Sequence, residues 1–225
     1  MIDVPSTDEE GTLFTVFVSR GGGPRPTDVQ AASAIVLAGG RSSRMGRDKA
    51  MMPIGGSPLI VRLVTMLAPR FADIVVVAAP SQPLPALAAR VIRDEVEYQG
   101  PLAGLARGLR EIREDVAFAA SCDSVALNPA LVDFLLEQIP GYDAVLPIWR
   151  GRPQPLHAVY RRSALAPLED LVARGQLRLM DLFERIHTNR VVDDEIRRFD
   201  PEGSSLTSVN TPGEYAEALR RLERS

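Results

Sequence analysis

The sequence predicts an α/β protein whose sheet is mostly parallel and covered by helices on both faces. Three observations point there. Ile74 to Ala79 (IVVVAA) is a continuous apolar, β-branched run, as in a strand buried on both sides. Similar runs recur at Ala34–Ala38, Arg90–Arg93, Val116–Ser121 and Ala144–Trp149, with helical apolar spacing between them. The first of these runs opens into a glycine pair, Gly39 and Gly40, followed by a cluster of cations. The alternation implies a three-layer, Rossmann-like, doubly wound fold, in which ligands sit at the carboxyl ends of the strands.

Residues 1–33 read as a flexible N-terminal tail. Acidic and small residues from Asp3 to Gly11 lead into an apolar patch, Leu13 to Val18, that could add an edge strand. Gly21-Gly22-Gly23-Pro24-Arg25-Pro26 then reads as a linker. Residues 34–225 read as a single domain. After the strands at Ala34, Ile74 and Arg90, the residues Leu102, Leu105, Leu109 and Ile112 form one helical stripe. The strand Val116–Ser121 ends at Cys122-Asp123. Leu131, Phe134, Leu135 and Ile139 form a second stripe, and Leu165, Leu168 and Leu171-Val172 a third, on either side of the strand Ala144–Trp149. A last helix opens with Thr211 as N-cap, Pro212 at its first position and Glu214 completing a capping box, and turns Tyr215, Leu219 and Leu222 to the core.

Composition narrows the function. Of 225 residues, 45% are apolar and 24% charged, as in an ordinary globular protein. A net charge of −3 implies no broad basic surface for nucleic acid, so an anionic ligand must be met by local cations. Cys122 is the only cysteine, and His157 and His187 are the only histidines, which disfavours a zinc site of His and Cys. A chain without a disulfide, a long apolar run or a secretory leader is expected to be cytoplasmic.

The segments Gly39–Lys49, Ala78–Pro80, Asp94 and Asp123 all follow strand ends, so the fold can gather them in one cleft. Backbone N–H groups freed by Gly39 and Gly40, with Arg41, Arg44, Arg47 and Lys49 beside them, are what a triphosphate needs. The loop lacks the Gly-Lys-Ser/Thr of a Walker loop and the third glycine of a dinucleotide fingerprint. Asp123, just past a buried strand, suits Mg²⁺, which takes one or two carboxylates and fills its shell with phosphate and water. His157 lies on an apolar run and reads as a packed core residue.

The pattern Leu-Ala-Gly-Gly-x-Ser-x-Arg-Met-Gly-x-Asp-Lys-Ala, Leu37 to Ala50, resembles the signature of the molybdenum cofactor guanylyltransferases. These belong to the nucleotide-diphospho-sugar-transferase-like superfamily. The likeness extends in order through Gly100-Pro101-Leu102-Ala103-Gly104, Cys122-Asp123, Pro155 to Tyr160, and Asn210-Thr211-Pro212. It implies that residues 34–225 are a nucleotidyltransferase domain that moves GMP from GTP to molybdopterin with Mg²⁺ and releases pyrophosphate. It implies nucleotide contacts from Leu37, Ala38, Gly39, Gly40, Asp94, Gly100 and Pro101. It places Lys49 on the β- and γ-phosphates, Arg44 beside it, Asp123 on the metal, and Arg178 and Asn210 toward the acceptor. Cofactor-synthesis proteins or acceptor apoenzymes would be its protein partners.

Three positions depart from the family pattern. Val125 and Ala78 stand where relatives carry proline and asparagine, and Ser208 stands where asparagine is usual. Alanine at 78 neither donates nor accepts, so base recognition must use other groups. A CTP-dependent cytidylyltransferase is the nearest rival, although its relatives tend to read Leu-Ala-Ala-Gly. A sugar-phosphate nucleotidylyltransferase would read Gly-x-Gly-x-Arg-Leu. A non-catalytic nucleotide-binding module in cofactor delivery is a further alternative, to which loss of Lys49 or Asp123 would have pointed; both are present.

Overall fold

The computed structural model describes residues 3–7, 13–17, 31–39, 48–94, 100–124, 126–207 and 213–216. In chain order the strands are β1 (Asp3–Thr7), β2 (Leu13–Phe17), β3 (Ala32–Leu37), β4 (Pro53–Ile54), β5 (Ser57–Pro58), β6 (Asp73–Ala78), β7 (Arg90–Arg93), β8 (Val116–Ser121), β9 (Ala144–Trp149), β10 (Arg152–Pro153), β11 (His157–Arg161) and β12 (Thr188–Val191). The helices are α1 (Leu59–Leu67), α2 (Pro101–Glu111), α3 (Pro129–Glu137), α4 (Leu165–Ala173) and α5 (Asp193–Ile196).

One large sheet has the order β10-β9-β11-β8-β3-β6-β7, with β12 beside β9. β3 pairs in parallel with β6 and β8, β6 with β7, and β12 with β9. β11 runs antiparallel between β8 and β9, and β10 antiparallel to β9. Thus β7, β6, β3, β8, β9 and β12 share one direction, as expected. The antiparallel β11 follows from the short connection after β9, since a parallel return needs a crossover of a dozen or more residues.

Alternate residues of the strands serve opposite faces. Ala34 and Val36 of β3 and Phe118 and Ala120 of β8 pack in one core with Leu63 of α1 and Leu131 of α3. Ile35, Leu37, Val75 and Val77 pack in a second core with Leu105 of α2 and Leu168 of α4. Burial of both faces is why these strands carry no alternation of apolar and polar residues. α1 is not legible in the sequence, because a short run such as LIVRLVTML reads equally as a buried strand.

Helix α2 lies close on β3. Gly108 is fully packed there: a Cβ on it would come 2.5 Å from Ile35 Cγ2. One turn earlier, a Cβ on Gly104 would lie 3.3 Å from Leu37 Cδ2. Gly104 therefore serves helix–sheet packing, whereas the resemblance of Gly100 to Gly104 to a family motif points to a nucleotide-facing turn.

The apolar patch considered as an edge strand does not join the large sheet. As β2 it pairs antiparallel with β1 in a separate two-stranded ladder, so the segment expected to be a flexible tail contains paired strands. Its β-branched and aromatic residues, LFTVF, suit a strand. Residues 213–216 are helical, whereas Asn210, Thr211, Pro212, Leu219 and Leu222 lie outside the described residues. No helix among the described residues is long and apolar enough to cross a membrane.

Candidate active site

Strand registers bring the expected segments to one edge. Leu37 at the end of β3 lies opposite Val77 of β6 and Ser121 of β8, and Ala78 lies opposite Arg93 of β7. The carboxyl ends of four neighbouring parallel strands therefore open on the same side. Antiparallel β11 starts there too, with His157 opposite Ala120.

Lys49 and Asp123 meet at this edge. The Lys49 Nζ donates to Asp123 Oδ2 at 3.2 Å, with 19% and 14% of the two side chains exposed, so water screens the pair only partly. Lys49 sits on a single 3₁₀ turn, Lys49–Met51, wound by its N-cap: Asp48 Oδ1 accepts from the Ala50 N–H at 3.0 Å. Asp123 stands two residues past the end of β8, and the intervening Cys122 N–H donates to the Leu37 carbonyl at 3.0 Å. Burial, with the Asp123 and Asp48 carboxylates close by, pushes the Cys122 thiol far up. It stays protonated at neutral pH and points its Sγ at the Ala38 carbonyl, 3.6 Å away.

Ala38 is buried and its N–H donates to the Val77 carbonyl at 2.9 Å, so the β3–β6 ladder runs one residue beyond the strand. Gly39 is exposed, and a Cβ there would lie 3.4 Å from the Ala79 nitrogen. Gly40, Arg41, Arg44 and Arg47 lie outside the described residues.

Asp94 follows β7, and its N–H donates to the Ala78 carbonyl at 2.9 Å. Burial raises its carboxyl above the usual range, opposed by the Arg107 guanidinium. Gly100 caps α2 with φ of +87°, a conformation open to glycine, and Pro101 takes the first helical position. Arg178 lies on a different part of the chain. It precedes the 3₁₀ turn Leu179–Glu184, is 84% exposed, and pairs with Asp181 at 3.8 Å.

Asp123 also lines a cavity of about 220 Å³. Asp123, Ser124, Gln154, His157, Ser205 and Thr207 are among its lining residues. Buried Asp200 holds the Ser205 segment of that lining by accepting the Ser204 and Ser205 N–H groups at 2.9 and 2.8 Å. His157 is 3% exposed and packs at right angles to Phe118, with ring centroids 5.0 Å apart. Neither ring nitrogen has a hydrogen-bond partner among the described residues. Burial lowers its imidazole to about 4, with Asp200 opposing, so it is neutral at pH 7.

Two groups at this edge escaped the sequence reading. One is Gln82, whose amide holds the carboxylate of Asp48, a residue of the family signature; the other is Ser205 and Thr207, which come to the cavity from a loop far along the chain. Asp48 carried a local signal, an aspartate two residues before a turn residue with a free N–H. The others carried none, because their role depends on which loops the sheet brings together.

Together the fold and these residues define an α/β protein with a lysine–aspartate pair at the carboxyl edge of a parallel sheet and a cavity lined in part by the same aspartate. Residues 34–191 match the MobA-like NTP transferase domain. The chain belongs to that family and is a nucleotidyltransferase. A probable molybdenum cofactor guanylyltransferase from Mycobacterium avium is 39% identical over 191 residues, 82% of this chain and 93% of that protein. Another from Pelotomaculum thermopropionicum is 28% identical over 194 residues, 86% of this chain and 95% of the relative. The crystal structure of molybdopterin-guanine dinucleotide biosynthesis protein A from Archaeoglobus fulgidus superposes with a TM-score of 0.75 at 26% identity, covering 86% of this chain and all of that one.

Proposed function

We propose that this nucleotidyltransferase moves GMP from GTP to molybdopterin, giving the guanine dinucleotide form of the molybdenum cofactor. The observation that carries the reading is the Lys49–Asp123 pair at the carboxyl edge of the sheet, with Asp123 also lining a cavity. The names of the relatives from M. avium, P. thermopropionicum and A. fulgidus support the acceptor and the base.

In this reading an oxygen of the terminal phosphate of molybdopterin attacks the α-phosphorus of GTP. The bond from that phosphorus to the bridging oxygen breaks, and its electron pair leaves with pyrophosphate. A phosphate monoester has a second pKa of about 6, so the nucleophile is largely ionised at neutral pH and needs no general base. Neutral, buried His157 agrees with that economy of acid–base groups. What the protein must supply is alignment of two anions and relief of their repulsion.

Lys49 would stabilise the leaving pyrophosphate, with Arg44 of the same loop beside it. Leu37, Ala38, Gly39, Gly40, Gly100 and Pro101 would line the nucleotide, and Asp94 would take a base edge or ribose hydroxyl. Arg178 and Asn210 would face the acceptor. Among the described residues no group of three or more His, Cys, Asp or Glu is clustered. Asp123 fits Mg²⁺, which is content with one carboxylate when phosphates and water complete its shell. Bound there, Mg²⁺ would neutralise charge on the triphosphate.

The test is pyrophosphate release from the purified chain with Mg²⁺, molybdopterin and either GTP or CTP. Release that needs both GTP and the acceptor supports the proposal. Release with CTP instead would make the enzyme a cytidylyltransferase. Tight nucleotide binding without release would make it a binding module.

A further inference from the structure

We infer that Gln82 is a positioning residue for nucleotidyl transfer: its amide clamps the exit of the phosphate loop and so sets where Lys49 stands. The inference rests on the chain being a nucleotidyltransferase, and not on which base it uses.

Gln82 lies in the turn after β6, where its own N–H donates to the Ala79 carbonyl at 3.2 Å. Its Nε2 donates to the Ala38 carbonyl at 2.9 Å and to both Asp48 carboxylate oxygens, at 3.1 and 2.9 Å. Its Oε1 accepts from the Ala79 N–H at 3.3 Å. Three oxygens on one side of the amide and an N–H on the other admit only one orientation. The side chain thereby joins the end of β3, the end of β6 and the residue before Lys49. The Arg93 guanidinium holds the same turn from β7, donating to the carbonyls of Ala79 and Gln82.

The consequence runs through Asp48. Its carboxylate accepts from Gln82 while it caps the turn that carries Lys49, and Lys49 reaches Asp123 from that turn. Without the amide, Asp48 loses a charge-assisted partner and the loop exit is free to swing. A carboxylate at position 82 would do more harm, because it would set oxygens against the three oxygens that Nε2 now bridges.

The experiment is a titration of nucleoside triphosphate and monophosphate with Mg²⁺ into the wild-type chain, Gln82→Ala, Gln82→Glu, and Gln82→Glu combined with Asp48→Asn, with the melting temperature of each. Gln82→Ala should weaken triphosphate binding about tenfold, the scale of one lost charged hydrogen bond, and monophosphate binding less. Gln82→Glu should weaken it about a hundredfold at pH 8, and adding Asp48→Asn should restore about tenfold by giving the introduced carboxylate an amide partner. A lower melting temperature with an unchanged triphosphate-to-monophosphate ratio in Gln82→Ala would overturn the inference, as would a Gln82→Glu chain that Asp48→Asn does not rescue. Failure of the wild-type chain to bind any triphosphate would overturn the nucleotidyl-transfer reading itself, and the inference with it.

Discussion

Lys49 and Asp123, 74 residues apart in the chain, meet at 3.2 Å across the carboxyl ends of two adjacent parallel strands. Neither is placed by its neighbours in sequence alone. β3 and β8 lie side by side because their apolar residues fill two cores at once, and the site follows from that pairing. Where this edge receives a triphosphate, the lysine has a short path from carboxylate to phosphate.

Lys49→Ala should therefore weaken triphosphate binding by about tenfold, the value of one charge-assisted contact, while GMP binding changes about twofold or less. Calorimetric titration of both ligands checks this. Equal losses for the two would remove Lys49 from the distal phosphates.

Asp123→Ala should lower pyrophosphate release at least about a hundredfold, as for loss of a principal electrostatic group. Lys49 keeps contact with water, so the melting temperature should move by no more than about 3 °C. Wild-type turnover in this variant would take the metal role away from Asp123.

His157 predicts an acid sensitivity. The unfolded chain binds its proton near 6.5, the folded chain only near 4. Between these values the unfolded state holds more protons, so stability rises with pH. The contribution is intact above pH 6.5 and lost as pH falls toward 4. His157→Gln should gain about 2–3 kcal/mol relative to wild type on going from pH 7 to pH 4.5 in urea unfolding. Parallel pH profiles for the two proteins would contradict it.

Much of this fold was legible because its central strands are continuous apolar runs and its helices α2, α3 and α4 carry clean stripes. Val116–Ser121 and Arg90–Arg93 appear as the strands expected, residue for residue. β12 and α1 were not legible. β12 is a strand of Thr, Asn, Arg and Val that exists because β9 offers it an edge. The site divides in the same way. Lys49 and Asp123 stood out as charges at strand ends. Gln82 did not, since an amide in a turn has no meaning until Ala38 and Asp48 are seen beside it. The packing role of Gly104 was hidden for the same reason, because its neighbour Leu37 comes from another strand.

The packing of α2 on β3 gives a stability test remote from the chemistry. Gly108→Ala would place a methyl 2.5 Å from Ile35 Cγ2, nearer than the core can accept without moving. Overpacking of this kind costs about 1–3 kcal/mol, so denaturant unfolding should show a loss of that size. A variant as stable as wild type would mean that α2 can lift from the sheet freely.

The central claim is that a nucleotide's phosphates lie between Lys49 and Asp123, and a crystal structure with Mn²⁺ and a non-hydrolysable GTP analogue tests it most directly. The account predicts the ion on the Asp123 carboxylate, the distal phosphates within reach of Lys49, and the base toward Asp94. A nucleotide seated elsewhere on the molecule, with Lys49 still paired to a metal-free Asp123, would contradict it.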